Sequence, residues 1–145
     1  MARVQLELPE QFFYSTDIDV RFTDLNPAGH LGNDQMISLI SDARYSFFCH
    51  LGLDVTSIGG AVVTVTDLVT TYRAESFAGE KLKFEVGLTD FNKYGADVIF
   101  RITKNNGETL VALAKTGFVF VDTETHKVCV IPQTFIDALP EDCRP

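Results

Sequence analysis

The sequence predicts an α+β fold: one long apolar helix packed on an antiparallel sheet of about five or six strands that wraps around it. Three observations carry this. Met36, Ile40, Ala43, Phe47 and Leu51 recur at spacings of three or four, which is one face of a helix. Around them lie runs that alternate with period two or are rich in Val and Thr, as strands are. Asn105-Asn106-Gly107 separates two of those runs, and its Asn-Gly pair is the strongest short hairpin signal.

Taken in order, Val4 to Leu8 is a short alternating run. From Asp17 the alternation is clear: Ile18, Val20 and Phe22 face one way, with Asp17, Asp19, Arg21 and Thr23 opposite. Asn26-Pro27-Ala28-Gly29 ends that strand with turn chemistry. In the helix that follows, Asn33 is the expected N-cap and Gly52 the left-handed stop, giving roughly 18 residues, or about 27 Å. Ile37, Leu39 and Phe48 widen the apolar stripe, so burial extends around much of the helix. Ala61 to Ala74, Lys81 to Phe91, Ala96 to Lys104 and Thr109 to Asp122 then read as strands in a meander. Thr123-Glu124-Thr125-His126 reverses the chain into a short strand at Val128 to Ile131. Pro132 to Leu139 is expected to form a terminal helical turn with Pro132 at its first position.

At 145 residues, 46% of them hydrophobic, the chain has the length of one domain with a sizeable core. No repeat, low-complexity tract or linker divides it, so residues 1–145 are expected to form a single domain. No apolar run approaches the roughly 20 residues of a membrane span, and Met1 through Glu10 lacks the apolar region of a secretory signal. A cytoplasmic protein with no membrane partner is expected. The net charge of −8, with no Lys/Arg cluster, argues against nucleic acid, whose phosphates need a basic footprint. A phosphorylated ligand would need local bases, and Arg73, Lys93, Arg101 and Lys115 are those available. Cys49, Cys129 and Cys143 are odd in number and lack metal-ligand spacing, so neither a metal site nor a disulfide framework is expected. Cys49 sits within the apolar helical pattern and reads as core.

The chemistry concentrates between Val20 and Asn33. There Asp24, Asn26, His30 and the start of the helix at Asn33 bring carboxylate, amide, imidazole and a helix N-terminus into fourteen residues. That set suits activation of water or polarisation of a carbonyl. Each residue also has a plain structural reading. Asn26 before proline forms turns, Gly29 supplies a positive φ, His30 fits a hydrogen-bonded turn, and Asn33 caps. On the helix, Asp42 and Arg44 read as a solvated or interface pair, or Asp42 as a helix-borne acid. His50 and His126 read as helix-end and surface-turn residues.

The order of elements, together with Asp24-Leu25-Asn26-Pro27-Ala28-Gly29-His30 leading into Asn33, resembles the hotdog-fold thioesterases of the 4-hydroxybenzoyl-CoA thioesterase type. Leu68 to Ala74, Ala78-Gly79-Glu80-Lys81-Leu82, Asn106-Gly107 and Val130-Ile131-Pro132 extend the resemblance over nearly the whole chain. It implies hydrolysis of acyl-CoA thioesters without metal or organic cofactor, in a homodimer or homotetramer with sites at the subunit interface. In that family a carboxylate immediately before the turn is nucleophile or general base, and a backbone N–H at the helix start polarises the carbonyl. By position the amide falls on Asn33 and the carboxylate on Asn26. An asparagine side chain cannot take a proton at neutral pH, so the base must lie elsewhere. His30 or Asp24 is the candidate, with Asn26 orienting the water. Lys93, in a segment resembling the family's basic CoA-contacting strand end, and Tyr72, on the central strand, are the expected substrate contacts. The alternative is a non-catalytic acyl or acyl-CoA binding protein that kept the fold and lost the base. A hydratase or dehydratase on the same fold is the third reading.

Overall fold

The computed structural model describes residues 3–145; Met1 and Ala2, and the part of the N-terminal reading that falls on them, lie outside it. The elements run β1 (Tyr14–Asp19), α1 (Asn33–His50), β2 (Ala61–Tyr72), β3 (Lys81–Thr89), β4 (Gly95–Lys104), β5 (Thr109–Asp122), β6 (Val128–Cys129) and α2 (Gln133–Ala138). Single 3-10 turns lie at Phe22–Asp24 and Glu141–Cys143.

All strand pairings are antiparallel, and the sheet order is β1-β3-β4-β5-β2, with β6 on β5. The expected meander holds from β3 to β5, and the short β6 turns back onto β5. β2 crosses to the far edge and pairs with β5, from Ala61↔Asp122 to Tyr72↔Ala112. Since β1 and β2 occupy opposite edges, the α1 connection between them must traverse one face of the sheet. This is the hotdog arrangement of a helix wrapped by an antiparallel sheet.

The pleat sorts residues onto that face. In β3, Leu82, Phe84 and Val86 are fully buried while Lys81 and Lys83 are exposed. The register sets Phe84 opposite Ile102 and Val86 opposite Phe100, and these stand opposite Ala112 and Ala114 of β5. Met36, Leu39, Ile40, Ala43, Phe47 and Phe48 of α1 complete the same core. Phe48, Phe118, Phe120 and Phe135 pack ring on ring at 5.2–6.2 Å, so α2 seals the end where Phe48 lies. Gly95 has no room for a Cβ, which would overlap the Phe118 carbonyl. Past it β6 takes over pairing with β5 at Phe120 and Val121.

Several expectations change. The first strand begins at Tyr14 and stops at Asp19, and the 3-10 turn after it breaks the alternation. Phe22 is therefore turned out, 82% exposed, and Asp24 takes the buried position at 1%. Val4 to Leu8 forms no strand. The N-cap of α1 is Gly32, with Asn33 the first helical residue, and the N-cap of α2 is Pro132. Gly52 does stop α1 with φ +75°. Cys49 is exposed rather than core, since the buried stripe passes through Phe47 and Phe48. Asp42 and Arg44 form no ion pair with each other; Arg44 is half-buried, and loss of solvation lowers its pKa.

Candidate active site

The loop between β1 and α1 is tied at both ends. Asn26 N–H donates to the His30 carbonyl at 2.9 Å, and Gly29 N–H returns a bond to the Asn26 carbonyl at 2.9 Å. Asn26 Oδ1 accepts the Ala28 N–H at 3.0 Å, an Asx turn. Gly29 has φ +87°, which favours glycine. Gly32 N–H then donates to the Asp24 carbonyl and Leu31 N–H to the Ser76 carbonyl, at 3.2 and 2.7 Å. The start of α1 is thereby held against the connection between β2 and β3. A side chain at Gly32 would strike Asp34 Oδ1 at 2.6 Å, so the N-cap position admits only glycine without a shift.

This end of α1 has no side-chain cap hydrogen bond. The first N–H groups of a helix have no partner within it and carry its positive dipole end. Asn33 supplies one of them, and it lines a cavity of about 400 Å³ together with Asn26, His30, Met36, Tyr72, Arg73, Glu75 and Ser76. Leu31, Met36 and Val111 give the cavity an apolar side. Tyr72 O–H donates to the Asn33 carbonyl at 2.8 Å and so fixes the edge strand β2 to the first turn of α1. Burial raises the Tyr72 pKa, so the phenol stays protonated as a donor.

His30 is 27% exposed, and its Nε2 lies 3.6 Å from Glu75 Oε1, within ion-pair range and longer than a hydrogen bond. Phe77 meets the imidazole edge to face at 6.4 Å. Glu75 escaped the sequence reading. It follows the end of β2 in an irregular connection with no periodicity, and only the folding of that connection onto the loop before α1 brings it to His30. Ser76 was missed for the same reason; its hydroxyl is buried with no partner among the described residues.

The four candidate residues of the loop separate. Asn26, His30 and Asn33 line one cavity. Asp24 does not. Its Oδ2 accepts the Arg21 N–H at 2.9 Å and Nε at 3.2 Å, and its Oδ1 accepts Nη2 at 2.9 Å. The Arg21 side-chain hydrogen bond holds the carboxyl below its usual range. Of the expected substrate contacts, Tyr72 lines the cavity and Lys93 lies outside it, its carbonyl accepting the Ile131 N–H and its ammonium 5.6 Å from the Tyr94 ring. Among the other bases, Arg101 is paired with Glu85 and Lys115 with Asp67, while Arg73 lines the cavity. Among the described residues, no group of three or more His, Cys, Asp or Glu could hold a metal, and no helix is long and apolar enough to cross a membrane.

The sequence profile of the thioesterase-like superfamily matches residues 20–139. The chain belongs to that superfamily. No curated protein matches it. Among solved structures, the 1,4-dihydroxy-2-naphthoyl-CoA thioesterase of Synechocystis superposes with a TM-score of 0.80 at 18% identity, covering 91% of this chain and 98% of that one. The DHNA-CoA thioesterase of Staphylococcus aureus gives 0.75 at 22%, covering 85% and 83%. A gentisyl-coenzyme A thioesterase gives 0.77 at 14%, covering 88% and 100%. At these identities the likeness establishes the hotdog fold, and the chemistry rests on the cavity.

Proposed function

We propose that this superfamily member hydrolyses an acyl-CoA thioester, with His30 rather than a loop carboxylate as the general base. The observation that carries the reading is the uncapped helix start at Asn33 sharing one cavity with the His30–Glu75 pair. A thioester carbonyl placed there accepts the Asn33 N–H, whose dipole favours the developing oxyanion. With Nε2 turned to Glu75, Nδ1 of His30 is the nitrogen that takes a proton from water. The hydroxide adds to the carbonyl carbon, the tetrahedral intermediate collapses, and the C–S bond breaks. The departing thiolate takes the proton back, leaving acid and CoA. Glu75 steadies the imidazolium between those transfers.

Asn26 orients the water. Its Oδ1 is occupied by Ala28, which leaves the amide NH₂ for the cavity. Asp24 acts through structure, by shaping the loop. Tyr72 fixes the helix start, Leu31, Met36 and Val111 receive the acyl group, and Arg73 is the base nearest a ligand phosphate. The exposed apolar residues of edge strand β2, Val65, Leu68 and Tyr72, support a homodimer or homotetramer.

The second reading, binding without hydrolysis, is favoured by Asn26 standing where the resembled family has its carboxylate. Thiol release from short, aromatic and long acyl-CoAs decides between them; aromatic thioesters belong in the panel because three of the fold's neighbours are named for them. Saturable binding with no free thiol would remove the enzyme reading. Water added to an enoyl-CoA without thiol release would point to a hydratase.

A further inference from the structure

We propose that Lys104 is a positioning residue for the site: it holds Glu75 toward His30 by gripping the connection between β2 and β3. The inference rests on reading His30 and Glu75 as the acting pair. Lys104 is the last residue of β4, and only 11% of its side chain is exposed. Its ammonium donates to the Glu75 carbonyl at 2.7 Å. It also lies 3.1 and 3.0 Å from the two carboxylate oxygens of Glu80. Glu80 Oε1 in turn accepts the Phe77 N–H at 2.6 Å. The same ammonium lies 5.7 Å from the Phe77 ring, which is the ring set against His30.

One half-buried cation thus reaches residues 75, 77 and 80 of a single connection. The remaining ties there are backbone bonds. Arg73 and Ala74 N–H donate to the Val111 carbonyl, the Ser76 carbonyl accepts Leu31 N–H, Glu80 N–H donates to the Phe77 carbonyl, and Val20 accepts from Gly79 N–H and donates to the Glu80 carbonyl. Among the described residues the Glu75 carbonyl has Lys104 as its donor. The Glu75 side chain is 66% exposed, and among the described residues its carboxylate pairs with His30 alone. A long, exposed carboxylate samples many rotamers, so its placement depends on where its backbone is fixed. An ammonium has three donors, and here they face the Glu75 carbonyl and the Glu80 carboxylate rather than solvent. A methionine at 104 would keep much of the volume and lose every one of these bonds.

The test measures kcat and KM for Lys104→Met and Lys104→Arg, each in the wild-type and the Glu75→Gln background, by thiol release. It is joined by NMR of the His30 imidazole in the same proteins. Lys104→Met is expected to lower kcat by roughly 5–30-fold, as Glu75→Gln does, with KM little changed. In the Glu75→Gln background it should cost nothing further, and Lys104→Arg should restore most of the rate. The His30 ring signals should move in the same direction for Lys104→Met as for Glu75→Gln. An equal loss in both backgrounds, or unmoved His30 signals, overturns the proposal. Absence of thiol release by the wild type would overturn the hydrolase reading, and the NMR comparison would still decide the role of Lys104. Should Lys104→Met not fold, Glu80→Gln weakens the grip from its other end and is read in the same way.

Discussion

Glu75→Gln keeps the size of the side chain and removes its charge, so it isolates what the carboxylate does for His30. The Nε2–Oε1 separation is 3.6 Å. A unit pair near that distance is worth about 1 kcal/mol in water and about 4 kcal/mol in a surface environment of intermediate dielectric. Glu75 is 66% exposed and His30 27%, which places the pair near the lower figure, about 1–2 kcal/mol. That stabilisation applies to the imidazolium, which exists after water has given up its proton, so it should appear in kcat. At 1.36 kcal/mol per tenfold, Glu75→Gln should lower kcat about 5–30-fold. The assay is thiol release from the best acyl-CoA of the panel, at low and at raised ionic strength. Salt should shrink the difference, because a half-exposed pair is screened. An unchanged kcat would refute the pairing, and a loss beyond about a thousandfold would mean that Glu75 itself is the base or nucleophile.

Asn26→Asp separates two roles of the turn residue. If Asn26 orients water through its NH₂, the substitution should lower kcat about tenfold or more; a rise would show that a carboxylate at this position was all that was lacking. Asp24→Asn should destabilise the fold while leaving the cavity lining intact, as followed by thermal melting across pH. The Asp24 pKa is depressed in the folded state, so its contribution is present above the unfolded carboxylate value near 3.8 and is lost as pH falls below it. The melting difference between wild type and variant should therefore be full at pH 7 and narrow as pH falls below the unfolded carboxylate value toward the depressed folded one. Phe47→Ala, in a fully buried ring packed against Phe13 and Phe48, should cost about 3–5 kcal/mol in urea unfolding.

Local signals made much of the fold legible. The apolar stripe from Met36 to Phe47 defines α1 because a helix that packs on a sheet must repeat its buried residues every three or four positions. Thr109 to Asp122 was read to its full length because its neighbours on both sides are turns. What the pattern could not show was pairing. β2 alternates no differently whether it joins β3 or β5, and the crossover is set by α1 traversing the sheet. The loop at Asn26, His30 and Asn33 was legible because turn, imidazole and helix start are contiguous in the chain. Phe22 was misplaced because the 3-10 turn at Phe22–Asp24 changes the period where the chain still looks like a strand. Glu75, Ser76 and Lys104 come from irregular or distant segments, and no spacing rule links residue 30 to residue 75 or residue 75 to residue 104. Asp24 looked as available as His30, and only the burial of its carboxylate against Arg21 sets it apart.

The most direct test of the central claim is the rate of thiol release from acyl-CoA by the wild type and by His30→Ala at neutral pH. A working base at this position predicts turnover by the wild type and a fall in kcat of roughly 10²–10⁴-fold in the variant, with the melting temperature preserved. Equal turnover by the two proteins, or binding without thiol release by both, would contradict it.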